Sequence, residues 1–182
     1  LYPSDFEAKK AMIEYGRRME AAGCAIAGDG SLSVRVGPNA LWITEKDADK
    51  GALTQECFVR IDLSGRQMMS AHPRTLPEDL PLHLKLYAEN AALRCVLHAY
   101  PPLVAAMQLC GCGVEPAVFA PSVRTLGRIT ALAQASAEAQ AVQAAQAAHT
   151  DGGVLLAQDG CLLWGNSPAQ AYRRLQALEY YA

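Results

Sequence analysis

Apolar residues recur along this chain at two spacings, and the switches between them divide it into elements. From Asp5 onward, Ala8, Met12, Tyr15, Met19 and Ala22 fall three or four residues apart, which predicts a helix with one apolar stripe. Ser4 and Glu7 mark its start, since each side chain can satisfy a backbone N–H left free at a helix end, and Gly23 marks its stop. The spacing then drops to two in SLSVRV, Gly37-Pro38-Asn39 interrupts it, and ALWIT resumes it, so a β-hairpin is expected. ECFVRIDLSGRQMMS has the same form and predicts a second hairpin turning at Ser64-Gly65. A helix over Leu82–Ala91 enters through Pro81, a residue tolerated in a first turn.

Further on, ALRCVLH shows no alternation, which predicts a short strand buried on both faces. Pro101-Pro102 opens a helix through LVAAMQL, and Ala131 to His149, rich in Ala and Gln, predicts a long one. VLLAQDGCLLW predicts a hairpin around Asp159-Gly160, a favoured tight-turn dipeptide. Ser167-Pro168-Ala169-Gln170 starts a last helix with Ala171, Leu175 and Leu178 facing inward. Hairpins interleaved with helices, and no internal repeat or linker, predict a single α/β domain over residues 1–182 in which helices cover a mixed sheet. No strand leads into a GxGxxG turn, so a dinucleotide-binding fold is not expected.

Composition narrows the function. An apolar content of 51% over 182 residues is enough for one sizeable core. A net charge of −2 gives no electrostatic basis for binding nucleic acid or an anionic membrane. No run of about 18 apolar residues occurs, and LYPSDFEAKK lacks the basic-then-apolar order of a signal peptide. The six cysteines (24, 57, 95, 110, 112 and 161) are scattered, and Cys110-Gly111-Cys112 has no second pair to complete a metal site. The expected location is the cytoplasm.

The candidate chemistry centres on VLHAYPP, where a histidine leaves a buried strand just before a proline-started helix. Around it, Gly30-Ser31-Leu32-Ser33-Val34-Arg35 resembles the glycine turn of the class II aldolase/adducin family. LWIT followed by KGALT and FVRIDLSG, then EDLPLHLKLY, VLHAYPP, LLAQDGCLLWG and GNSPAQAYRRLQALE resemble that family's successive segments in order. The resemblance implies a three-layer α/β/α domain with a mixed, largely antiparallel central sheet, and a cyclic homotetramer. It also implies three histidines holding a divalent metal, usually zinc, which polarises a ketose-phosphate carbonyl while a glutamate acts as acid/base.

Carried over residue by residue, that pattern is only partly met. His98 stands at the first metal histidine, Tyr100 at the second and Asp159 at the third, leaving His98 and Asp159 as metal candidates. Asp79 takes the acid/base place four residues before His83, so Asp79 and Tyr100 are the catalytic candidates. Ser31, Thr44 and Lys46 are the substrate-binding candidates, whereas Pro77 and Glu78 replace two phosphate-binding serines. Each residue also has a plainer reading. His98 suits a histidine bonded to nearby backbone, Asp159 a turn, Asp79 a helix cap and Tyr100 a ring packed over a helix start. A phenol and a carboxylate are poor replacements for two zinc imidazoles. The expectation is therefore a class II aldolase-like protein with a degenerate metal site, no cofactor, and a binding or assembly role. The alternative is a divergent metal-dependent sugar-phosphate aldolase or epimerase, using zinc or manganese on a small hydroxy-carbonyl compound such as a sugar or hydroxy acid. A reduced His98–Asp159–Asp79 centre would suit manganese, iron or magnesium.

Overall fold

The computed structural model describes residues 1–26, 28–68, 73–112 and 120–182. Helix α1 (Asp5–Ala21) precedes strands β1 (Ser31–Gly37), β2 (Ala40–Thr44) and β3 (Phe58–Ile61). Next come α2 (Leu80–Glu89), β4 (Cys95–Ala99) and α3 (Pro102–Leu109), then α4 (Ala120–Leu126) and β5 (Arg128–Ala131). The chain ends with α5 (Ala137–Ala147), β6 (Asp151–Leu155), β7 (Cys161–Gly165) and α6 (Pro168–Tyr181). Among the described residues the strands join one sheet in the order β3-β2-β1-β4-β7-β6-β5, with only β5 and β6 parallel. Helices cover both faces, giving the expected three layers. Among the described residues no helix is long and apolar enough to cross a membrane.

Strand alternation sorts the apolar residues into two cores. Leu32, Val34, Leu97 and Leu163 pack with Met12 of α1 and Leu175 of α6. Ile43, Val96, Leu162 and Trp164 pack on the opposite face with Leu86 of α2 and Ala144 of α5. Neighbours such as Val96 and Leu97 thus bury into different layers, as a period of two requires. Each large side chain so buried contributes about 1.5–3 kcal/mol. All six cysteines are free thiols, so burial and hydrogen bonding stabilise the fold without a disulfide.

Local signals set several boundaries. Ser4 Oγ accepts from Glu7 N at 3.2 Å and Glu7 Oε2 accepts from Ser4 N at 2.8 Å, which completes the capping box. In α6, Ser167 Oγ accepts from Gln170 N, and Ala171, Leu175 and Leu178 are buried as expected.

Three expectations are corrected. The second hairpin shrinks to an isolated bridge between Ile61 and Gln67 and a bond from Met68 N to Arg60 O, with Met69 and Ser70 outside the described residues. The Asp62 carboxylate organises that turn, accepting from Ser64 N, Ser64 Oγ and Arg66 N. Helix α5 starts not at Ala131 but after Ser136, whose Oγ caps it through Ala139 N. Ala131, the first residue of that expected helix, instead ends β5, where Ile129 and Thr130 suit a strand paired with β6. On α1 the buried stripe is Ala8, Met12, Gly16 and Met19, while Ala22 is exposed. Tyr15 is half-buried and packs against the same core, and Gly16 joins the buried stripe at a point where a side chain would run into Leu53.

The polar half of SLSVRV is not solvent-facing. Ser31, Ser33 and Arg35 are buried, and Ser33 and Arg35 bond to residues of α2. The alternation therefore marks an apolar core on one side of β1 and a buried polar seam on the other.

Candidate active site

The site forms where β4 ends, beside the start of β1, the β6–β7 turn and the N-terminus of α2. Antiparallel pairing sets His98 opposite Ser31 on β1 and Leu162 on β7. Two glycines allow the flanking chains to come this close. A Cβ on Gly30 (φ +80°) would lie 2.5 Å from His98 O, and one on Gly160 (φ +67°) only 2.2 Å from Ala99 O. Both have the left-handed backbone that glycine adopts without strain. The resulting cleft of about 330 Å³ is lined by Asp79, His98, Tyr100 and Asp159 on one side and by Gly28, Asp29, Lys46, Asp47 and Glu78 around the rest.

Asp79 occupies the N-cap position of α2 but makes no side-chain cap. Its Oδ2 instead accepts from Ser31 Oγ at 2.6 Å and from His98 Nδ1 at 2.6 Å. Its Oδ1 is buried and has no hydrogen-bond partner among the described residues. His98 Nε2 lies 2.8 Å from the backbone oxygen of Asp159. A carboxylate and a carbonyl only accept, so this arrangement favours a proton on each ring nitrogen and hence the imidazolium form of His98. Burial alone would lower the His98 pKa, but the hydrogen bond and charge of Asp79, aided by Asp159, raise it above the ordinary value. Burial likewise works to raise the Asp79 carboxyl, yet the rings of His83 and His98 outweigh it and hold it well below the usual range. Tyr100 Oη donates to Asp159 Oδ1 at 2.8 Å, and its ring lies tilted against His98 at 5.0 Å. Burial and the Asp159 carboxylate push the phenol above its usual range, so it stays protonated.

The structure thus brings Asp79, His98, Tyr100 and Asp159 together. Lys46 sits on the rim, where its Nζ donates to Glu78 Oε1 at 2.6 Å. Ser31 and Thr44 are fully buried and lie outside the cleft lining. Ser31 bonds Asp79, and Thr44 Oγ1 accepts from Leu32 N at 3.1 Å.

Sequence reasoning missed two features. Lys50 is buried and donates to Gly28 O at 2.6 Å and Ala48 O at 2.7 Å, tying together the two loops that form the rim. Burial lowers its pKa, opposed by the charges of Asp79, Asp29, Asp49 and Asp47. In KDADKGAL it looks like an ordinary surface charge. The other feature is the seam of Ser33, His83 and Tyr87, for which the polar half of SLSVRV facing a helix that carries His and Tyr four residues apart was an available signal.

This fold agrees with that of the relatives of the chain. The chain belongs to the class II aldolase and adducin N-terminal domain family, whose pattern matches residues 10–182. It is similar to a methylthioribulose-1-phosphate dehydratase of Bradyrhizobium, 28% identical over 93% of this chain and 85% of the relative. A 3,4-dihydroxyphthalate decarboxylase of Arthrobacter keyseri is 32% identical, over 50% of this chain and 39% of the relative. Among solved structures, L-fuculose-1-phosphate aldolase of Thermus thermophilus superposes with a TM-score of 0.81 at 23% identity, covering 96% of this chain and 90% of that one.

Members of this family generally use a divalent metal ion, and the donors of this chain do not fit one. His98 has an oxygen acceptor at each ring nitrogen, which leaves neither nitrogen a free lone pair in this arrangement. Tyr100 keeps its proton, and a neutral phenol is a poor ligand. No group of three His, Cys, Asp or Glu among the described residues is arranged to hold a metal ion.

Proposed function

We propose that the protein is an enzyme that transfers a proton next to the carbonyl of a small, unphosphorylated hydroxy-carbonyl compound, as in aldol cleavage, epimerisation or dehydration. The observation that carries this reading is Asp79, a buried carboxylate lining the cleft with one oxygen fully engaged and the other without a protein partner. Relatives named as a dehydratase, a decarboxylase and an aldolase favour an enzyme over a purely binding or assembly role. Asp79 Oδ1, buried in this structure, turns into the cleft to take a proton from carbon or to return one there, the electron pair resting on the carbonyl oxygen as an enolate in between. The contacts that lower its pKa also make it a weak base, so the developing enolate needs stabilisation close by. The His98 imidazolium supplies a fixed positive charge, and Tyr100 Oη turns from Asp159 to hydrogen-bond the enolate oxygen. The rim argues against a phosphate. Lys46 is already paired with Glu78, and Asp29, Asp47 and Asp159 line the same cleft.

The test is deuterium incorporation next to the carbonyl, followed by NMR in D₂O for dihydroxyacetone, erythrulose and ribulose with and without a phosphate, each with and without zinc or manganese. Exchange into the unphosphorylated compounds, lost in a folded Asp79→Asn variant, is the expected result. No exchange above that variant for any compound overturns the reading.

The protein is further proposed to assemble as a homotetramer. Leu109 is 87% exposed and Tyr180 79% exposed on the single chain, leaving large apolar side chains for a neighbouring subunit to cover. Light scattering is expected to return about four times the 19.5 kDa chain mass. A mass of 19.5 kDa across micromolar concentrations overturns this.

A further inference from the structure

Behind Asp79, a chain of buried hydroxyls and one imidazole runs between β1 and α2. Tyr87 Oη lies 2.9 Å from Ser33 Oγ, and Ser33 Oγ lies 2.7 Å from His83 Nδ1. His83 Nε2 is 2.8 Å from Ser31 Oγ, which is 2.6 Å from Asp79 Oδ2. Ser31, Ser33 and His83 are fully buried and Tyr87 is 1% exposed, so bulk water offers them no alternative partners.

The proton positions follow from the Asp79 end. An ionised carboxylate only accepts, so the single hydroxyl proton of Ser31 points at Asp79 Oδ2. Ser31 Oγ must then accept from His83, which places a proton on Nε2. With that proton alone on the ring, Nδ1 is a bare acceptor and takes the Ser33 proton. Donation from Tyr87 to the backbone oxygen 3.0 Å away would instead let Ser33 donate to Tyr87 and accept from His83 Nδ1, so the seam runs toward Asp79 only when Tyr87 donates to Ser33 Oγ. Every donor then points toward Asp79, and bonds aligned this way polarise one another.

We propose that His83, Ser33 and Tyr87 are positioning residues that act through Ser31. They keep Asp79 Oδ2 occupied from behind and so leave Oδ1 as the one carboxylate oxygen without a protein partner among the described residues. The role rests on the proton-transfer reading above, but the tautomer it requires does not. A seam that only held α2 against the sheet would affect stability without selecting a tautomer or separating kcat from KM.

Two measurements on the full chain decide it. Ring nitrogen-15 shifts are expected to show His83 protonated at Nε2 with Nδ1 bare. A proton on Nδ1, alone or together with Nε2, overturns the proposal even if no substrate is ever turned over. In the exchange assay, Tyr87→Phe and Ser33→Ala variants that melt cooperatively are expected to lose roughly 10-fold in kcat while KM changes by less than about twofold, and Ser31→Ala roughly 100-fold in kcat. Ser33→Thr, which restores a hydroxyl, is expected to recover most of the Ser33→Ala loss. Folded variants with the parent kcat, or with losses confined to KM, overturn the proposal. If the parent protein shows no exchange at all, the functional reading fails, and the His83 tautomer still decides the hydrogen-bond chain.

Discussion

Replacing Asp79 with asparagine is expected to lower the unfolding free energy by about 3–5 kcal/mol, among the largest effects of any single substitution at this site. Both members of the Asp79–His98 pair are buried, with side-chain exposures of 10% and 4%, so water screens it little. The asparagine oxygen can still accept one hydrogen bond, but it no longer balances the imidazolium charge. His98 must then lose a proton while still facing acceptors at both nitrogens. One acceptor is left unbonded in a dry site, which is costly. Urea unfolding is the measurement. The double variant Asp79→Asn/His98→Gln is expected to recover part of the loss, since the two residues share one interaction. A single-variant loss below about 1 kcal/mol would show that the pair is not the buried ion pair described here.

Stability is also expected to depend on pH in a defined direction. The folded-state pKa of His98 lies above its ordinary 6.5, so the stabilisation it contributes is complete below pH 6.5 and is lost as pH rises through the folded value. Asp79 is held below its ordinary 3.8, so its contribution is present above pH 3.8 and is lost as pH falls through the folded value. Both contributions are complete only between those two ordinary values. On the alkaline side the loss runs at up to about 1.4 kcal/mol per pH unit. Melting temperatures from pH 4 to 9 are expected to decline above pH 6.5 in the parent protein and less steeply in His98→Gln. Equal slopes in the two proteins would assign the decline to other groups.

How much of this was legible in the sequence depended on whether a feature was local. The Ser4–Glu7 box, the Asp159-Gly160 turn and the stripe of Ala171, Leu175 and Leu178 are written in residues a few positions apart, and the chain folds there as its spacing predicts. Strand β5 was not legible, because Arg128-Ile129-Thr130-Ala131 is too short to show a period of its own and declares itself only where β6 offers an edge to pair with. At the site, residue types pointed to Asp79, His98, Tyr100 and Asp159, which the fold brings together. Their bonding was hidden, because it depends on orientation. A helix-start aspartate ordinarily caps its own helix, yet Asp79 turns to Ser31 and His98 instead. A strand-end histidine ordinarily has a nitrogen to spare, and His98 has none. Lys50 was invisible for a related reason, since only the folded loops show that its charge lies inside them.

The seam along β1 also constrains where the chain can change length. His83 and Tyr87 lie one helical turn apart and meet the same Ser33, so together they fix the rotation and the height of α2. An extra residue between Asp79 and His83 would turn the upstream part of the helix by about 100° relative to the seam. Asp79 would then swing away from His98 while the rest of α2 kept its seat. An insertion beyond Tyr87, toward the Asn90 end, leaves that geometry untouched. Descendants of this gene should therefore show gaps and insertions after Tyr87 but an unbroken count of residues from Asp79 to Tyr87.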